Sequence, residues 1–199
     1  TGLGGDCFVL FNPGGGDGIS ALNGSGRAPA AVRAADLRAR GLDRVPLNGV
    51  EAVTIPGAID AFCRLSEAHG RLGLDTLLAP AIRYAEEGVP IAPRVAHDLT
   101  RATTVLQGHA IGYFSHGGTP LAKGDIFRAP GQAEVLRRIA RDGRRAFYEG
   151  EVAEDMLATL GAMGGVHEAE DFAATACDAA TPVRGAYGGV DLVEHPPNG

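Results

Sequence analysis

The chain has 199 residues, 45% of them hydrophobic and 21% charged, with a net charge of −6. This is the composition of an ordinary globular protein, long enough to bury a core as a single domain over 1–199. The negative charge argues against a nucleic-acid partner, and no apolar run is long enough to span a bilayer.

Residues 7–12 (CFVLFN) form a short, nearly continuous apolar run bounded by Gly and Pro, which reads as a buried strand. A turn at 13–18 (PGGGDG) and a returning strand at 19–23 complete a hairpin. The glycines at 2, 4, 5, 14, 15 and 16 invite a phosphate-loop reading. That motif needs a Lys before a Ser or Thr at a helix start, and none is present, so tight backbone approach is their expected role. Residues 28–40 are rich in Ala and Arg, with Pro29 near the start, and are expected as a helix ended by Gly41. Residues 42–53 read as a loop or short strand.

The stretch 53–88 is expected to hold two amphipathic helices. Ile59, Phe62, Cys63 and Ser66 make one inward stripe; Leu77, Leu78, Ala81, Ile82 and Ala85 make the other. Asp75 is placed to cap the second helix and Gly88 to end it, while Pro80 demands a bend or a restart. The short turn at 69–73 should lay the two helices against each other. A third helical stretch at 92–107 puts Val95, Leu99 and Thr103 on one face, and 108–127 is irregular. In 132–142, Val135, Leu136, Ile139 and Ala140 face inward, with Arg137, Arg138 and Arg141 on a solvated face. Residues 150–163 form a helix with Val152, Ala153, Met156, Leu157 and Leu160 on one side, ended by Gly164 and Gly165. Residues 182–187 and 190–195 read as closing strands around Gly188 and Gly189. Strands at both ends and helices between them give an α/β or α+β architecture.

The cysteines, Cys7, Cys63 and Cys177, are odd in number and lack a C-x-x-C spacing. They read as small buried thiols, with neither a disulfide framework nor a zinc site expected. His109 and His116 are too loosely spaced to argue for a metal, His69 reads as a turn or surface residue, and His195 as structural. Glu86, Glu87, Glu149 and Glu151 read as helix-end charges. No cofactor is implied. No secretory signal is visible at Thr1, and the scarcity of cysteine pattern suits the cytoplasm as well as an exported compartment.

Several motifs carry a resemblance, in order along the chain. IPGAIDAF, then HGRL, then LLAPAIRYAEEGVPI resemble the large-subunit signature of the γ-glutamyltransferase family. TGLGGDCF is similar to that family's Gly-rich strand entry, and GRAPAA stands where the family has its A-P motif. GDIFRAPGQAEVLRRIARDGRRAFYEGEVAEDM is similar to its long helical segment, and the closing PPNG to its Pro-rich turn. The resemblance implies part of the four-layer αββα sandwich of N-terminal-nucleophile (Ntn) hydrolases, and a chain that is part of the large subunit. It implies a precursor that cuts itself, with the small subunit as partner and a small-molecule amide as substrate. The nucleophile is then a Thr freed at the start of the small subunit, and its own α-amine is the base. The residues after Thr1, GLGGDCF, match an internal motif and not the small-subunit start, so no catalytic residue is expected here.

One family site falls inside the chain. Conventional members carry an Arg-Glu pair four and three residues before the Pro of the A-P motif, and the Arg grips the α-carboxylate of the γ-glutamyl group. Here Ser25 and Gly26 hold those positions, and Arg27 is shifted two residues along. On extended backbone that shift keeps the face but moves the head by about 7 Å. Arg27 and Ser25 are therefore the candidate substrate-binding residues, with Ser25 offering one neutral hydrogen bond. The departure sets γ-glutamyl amides, and glutathione among them, against amides of other acyl groups, as in a cephalosporin-acylase-type amidohydrolase. A non-catalytic homologue that acts as a binding or scaffold protein is the remaining alternative. The plain reading of Arg27 is an exposed structural arginine.

Overall fold

The structure is a computed structural model, and it describes residues 2–16, 18–102, 104–106 and 108–197. In chain order it begins with strands β1 (Cys7–Phe11) and β2 (Ser20–Gly24), then helices α1 (Ala34–Ala39), α2 (Ala58–His69) and α3 (Leu74–Glu87). There follow β3 (Val89–Pro90), α4 (Pro93–Ala102), α5 (His109–Phe114), β4 (Ser115–His116), β5 (Thr119–Pro120) and β6 (Ile126–Phe127). The last part runs through α6 (Pro130–Asp142), α7 (Arg145–Tyr148), α8 (Glu151–Ala162), α9 (Ala169–Ala173), β7 (Asp178–Ala180), β8 (Val183–Tyr187) and β9 (Val190–Glu194). The chain divides into two compact units, Thr1–Leu72 with Gly143–Gly199, and Gly73–Asp142.

In the first unit the expected hairpin is present, with β1 and β2 antiparallel from Cys7 opposite Gly24 to Phe11 opposite Ser20. The expectation of a buried first strand is corrected. Side chains alternate across a strand, and Phe8 and Leu10 lie on the exposed face. A strand the sequence did not suggest, β7, joins antiparallel to β2 with Asn23 opposite Asp178. The long helix expected over 28–40 is only α1. Before it, the Ala30 N–H donates to the Asp171 carboxylate at 2.9 Å, and Arg33 turns its guanidinium onto the Val32 carbonyl at 3.1 Å. Those local bonds compete with a helical ladder.

α2 buries Ala58, Ile59, Ala61 and Cys63, but its inward face also includes Asp60 and leaves Phe62 47% exposed. Phe62 is thus not part of the inward stripe, because that face is centred between Ile59 and Cys63. Ile55, Ile59, Cys63, Tyr148 and Phe172 fill the core of this unit. α8 begins after Gly150, and its expected stripe faces inward, with Ala153 fully buried. α9 starts on a capping box in which Glu168 and Asp171 each accept from the other's backbone N–H. The closing hairpin β8–β9 turns at Gly188 and Gly189, whose φ of 58° and 79° suit a two-residue turn. The three cysteines are free thiols.

In the second unit α3 packs along α6. α3 runs without a break through Pro80, starts after Gly73 with no side-chain cap, and ends at Gly88 (φ 93°). Asp75 is therefore a first-turn acid and not the cap. Leu74, Leu78, Ile82 and Ala85 are half-buried, whereas Leu77 and Ala81, expected inward, are exposed. The two helices expected to lie together belong to different units, and the neighbour along α3 in its own unit is α6. α4 ends at Ala102, with Leu99 buried and Val95 exposed; Thr103 and Gln107 lie outside the described residues. The segment expected to be irregular holds α5 and three short strands. Ile91, Leu99 and Leu121 form a small core there, joined by Ala96, Phe114 and Phe127. Along α6 the expected stripe holds, with Ala133, Leu136 and Ile139 buried. Its arginines face outward in ion pairs, Arg138 with Glu134 at 2.8 Å and Arg137 with Glu86. Among the described residues no helix is long and apolar enough to cross a membrane.

Where β2 passes the start of α2 the backbones nearly touch. A Cβ on Gly57 would lie 2.2 Å from the Gly24 carbonyl oxygen. Gly57→Ala is therefore expected to lower the stability of the full-length protein by about 1–3 kcal/mol. Thermal unfolding checks this, and an unchanged midpoint would contradict the close approach.

Candidate functional site

The end of β2 runs into the loop that carries Ser25, Gly26, Arg27 and Pro29. Four interactions fix that loop. The Ser25 N–H donates to Asn23 Oδ1 at 2.9 Å and the Gly26 N–H to Asp6 Oδ1 at 2.8 Å. The Arg27 carbonyl accepts from the Ile55 N–H at 2.9 Å. The Arg27 guanidinium donates through Nη2 to Asp178 Oδ2 at 3.0 Å. Gly26 lies so close to residues 54 and 55 that a Cβ there would sit 2.1 Å from the Ile55 carbonyl oxygen. A Glu at that position, as in conventional members of the resembled family, would not fit this backbone path. Ser25 is half-buried; the Arg27 and Asp178 side chains are 77% and 66% exposed. The structure thus brings both candidate residues onto one anchored loop, and it gives Arg27 an acidic neighbour.

Asp60, on α2, is the buried acid of the same unit. Its carboxylate has 0% exposure. Oδ1 accepts from Arg144 Nε at 2.6 Å; Oδ2 accepts from Arg64 Nε and from the Cys177 N–H, both at 2.7 Å. Arg144 also donates to the Thr175 carbonyl at 2.6 Å. The Asp60 N–H donates to the Tyr148 hydroxyl at 3.1 Å, and that hydroxyl donates to the Pro56 carbonyl at 2.7 Å. One cluster therefore ties residue 56 to residues 175 and 177. Burial pushes the Asp60 carboxyl up, but the hydrogen bonds from Cys177 and Arg144, with the Arg64 charge, outweigh it and hold the group below its ordinary range. Burial, together with the hydrogen bond to Asp60, pushes the Cys177 thiol up to about 11. Burial, with the Glu67 and Asp60 charges, does the same to Cys63, up to about 11. Neither thiol is a ready nucleophile.

Two histidines pack against aromatic rings of the first strand. His195 is buried, lies against the Phe8 ring at 5.5 Å between centroids, and has Nε2 2.9 Å from the Leu22 carbonyl oxygen. His69 ends α2 against the Phe11 ring at 4.5 Å. Glu86 and Glu149 pair with Arg137 and Arg145 as helix-end charges. Among the described residues no group of three or more His, Cys, Asp or Glu could hold a metal. Thr1 lies outside the described residues.

The residues that sequence reading missed are Asp6, Asp60 and Asp178. Asp60 carried a signal, an acid beside Ile59 on an otherwise apolar face. Asp178 carried none, because it meets Arg27 across 151 residues of sequence.

The mixed α/β fold matches solved structures of Ntn hydrolases over nearly all of the chain. The family model described as Gamma-glutamyltranspeptidase matches residues 1–199, and the chain belongs to that family. The glutathione hydrolase-like YwrD proenzyme of Bacillus subtilis is 32% identical over all of this chain and 38% of its own length. The crystal structure of Helicobacter pylori gamma-glutamyltranspeptidase superposes with a TM-score of 0.90 at 27% identity, covering 98% of this chain and 57% of that one. Cephalosporin acylase from Bacillus halodurans gives 0.89 at 35% identity, covering 99% of this chain and 38% of that one. The chain thus spans about two fifths of the length of the first of these relatives.

Asp60→Asn leaves Arg64 and Arg144 facing a neutral group and is expected to cost about 3–5 kcal/mol at pH 7. The folded carboxyl lies below its unfolded value near 3.9. Its contribution is therefore present above that value and is lost as pH falls through the lower folded value. Unfolding midpoints of wild type and variant should converge below about pH 4. An equal deficit at pH 7 and pH 3 would contradict the ionic role.

Proposed function

We propose that this chain is the large-subunit part of a self-cleaving precursor whose two pieces together hydrolyse or transfer γ-glutamyl or related acyl amides. The observation that carries this reading is the family match over all 199 residues, to proenzymes of which the chain covers only part. The nucleophile is a Thr at the start of the small subunit. Its hydroxyl attacks the amide carbonyl and passes its proton to its own α-amine, whose unperturbed pKa near 8 suits a base close to neutrality. That proton then goes to the leaving amine. The acyl ester is released to water or to an amino acceptor. In this scheme Arg27 and Ser25 hold the far end of the acyl group, on a loop whose position is set before substrate arrives.

A second reading is a cephalosporin-acylase-type enzyme acting on glutaryl amides. Ser25 and Gly26 favour it, because they stand where conventional members carry Arg and Glu.

Intact mass of the full-length protein, before and after a day's incubation, tests the first step. A single species should split into two, the smaller beginning with Thr; a mass that never splits would overturn the enzyme reading. Steady-state assays on γ-glutamyl and glutaryl p-nitroanilides test the second. Arg27→Ala should raise KM by about 10–100-fold for whichever is turned over, the worth of a charge-assisted hydrogen bond.

A further inference from the structure

We propose that the cleft between α1 and the turn at 164–167 binds a free amino acid with a small branched apolar side chain. Residues of the segments 29–33 and 50–53 complete its lining, and neither Ser25 nor Arg27 takes part in it. Its volume is about 80 Å³, which suits one short branched chain, since roughly twice that volume holds a benzene ring. Val32, Leu37, Val50 and Val166 make the walls apolar. Val50 is 8% exposed but Val166 is 47% exposed, so apolar surface is left for a ligand to cover. The walls are held from outside the cleft. The Ala30 N–H donates to Asp171 at 2.9 Å, and the Gly165 N–H donates to the Leu160 carbonyl at 2.8 Å.

The charged groups of the lining decide what that chain is attached to. Arg40 and Glu51 answer each other as an ion pair. Arg33 and Asp36 do not. Arg33 uses Nη1 for the Ala30 and Val32 carbonyls, at 2.5 and 3.1 Å, which holds its head and leaves Nη2 and Nε open. Asp36 is in the first turn of α1, and its carboxylate has no partner among the described residues. Arg33 is the N-cap and Asp36 the third helical residue, positions whose side chains can meet, as in a capping box. One cation and one anion thus stand together at an apolar cleft. A lone carboxylate is repelled by Asp36 and a lone ammonium by Arg33, whereas a zwitterion answers both. An α-amino acid carries its two charges and its side chain on one carbon, which lets the charges stay at the rim while the side chain enters.

Calorimetric titration of the full-length protein with leucine tests the proposal. Leucine should bind with a Kd of about 1 mM, weak because so few atoms make contact. Glycine, which lacks the apolar chain, should show no binding at about 20 mM. Isocaproate and isoamylamine, each lacking one charge, should bind at least about threefold more weakly than leucine, the scale of one exposed charge contact. Asp36→Asn should weaken leucine about threefold without weakening isocaproate. Val166→Trp fills the cleft from an exposed position and should abolish binding at an unchanged unfolding midpoint. Arg27→Ala should leave leucine binding unchanged, so the proposal stands or falls apart from the reading of Arg27. Failure of leucine to bind the wild type overturns the proposal. So does binding that survives Val166→Trp or disappears with Arg27→Ala, which would place the amino acid on the acyl-holding loop. If Val166→Trp does not fold, the Asp36→Asn comparison decides, and an equal loss for leucine and isocaproate overturns the proposal.

Discussion

A carboxylate with no exposed surface, Asp60, is the constraint around which the first unit is arranged. Removing such a charge from water costs several kcal/mol unless it is paired and its lone pairs are satisfied. Here two guanidinium groups and one backbone N–H meet its two oxygens, and Tyr148 takes the N–H of the same residue. Because the donors come from α2, from the entry to α7 and from the approach to β7, satisfying one side chain fixes three segments. The apolar core of Ile55, Ile59, Tyr148 and Phe172 supplies the driving force but is indifferent to small slides. The hydrogen-bond geometry at Asp60 is not indifferent.

The two acid–arginine centres of this unit have opposite character. At Asp60 the acid is sealed, and the cluster acts as a joint. At Asp178 both partners are in water, and the pair is a contact that can exchange. The first steadies the backbone from which the second projects, because the Cys177 N–H ties the residue before Asp178 to Asp60. Gly26 adds to that fixity by letting the loop lie on residues 54–55 at a distance no side chain would permit.

Much of the fold was legible because it follows local rules. The first hairpin, α6, α8 and the closing hairpin were marked by apolar period and by glycine, and they lie where those marks put them. The failures have physical reasons. α1 is short because the backbone of Ala30 bonds to Asp171, a partner with no local signal. Phe62 and Leu77 face outward because an apolar residue at helical spacing identifies a stripe but not its centre. β7 is three residues long and acquires its meaning from β2, far away in sequence. At the site, Ser25 and Arg27 could be named from the motif around Pro29, whereas Asp178 could not. The candidate site is built from long-range contacts, and a linear reading sees only one side of each.

The Asp60 cluster also has a consequence in time. Its donors Arg144 and Cys177 are 84 and 117 residues downstream. At about 5–20 residues per second, a ribosome delivers Cys177 roughly 6–23 s after Asp60. Until Arg144 arrives, α2 carries an acid on its apolar face with only Arg64, one helical turn away, to answer it. The N-terminal hairpin and α2 therefore emerge as an unfinished joint, open to water at the place where the finished protein is driest. Closure of this unit waits for Cys177, and the residues that end the wait are the ones that bring Asp178 beside Arg27.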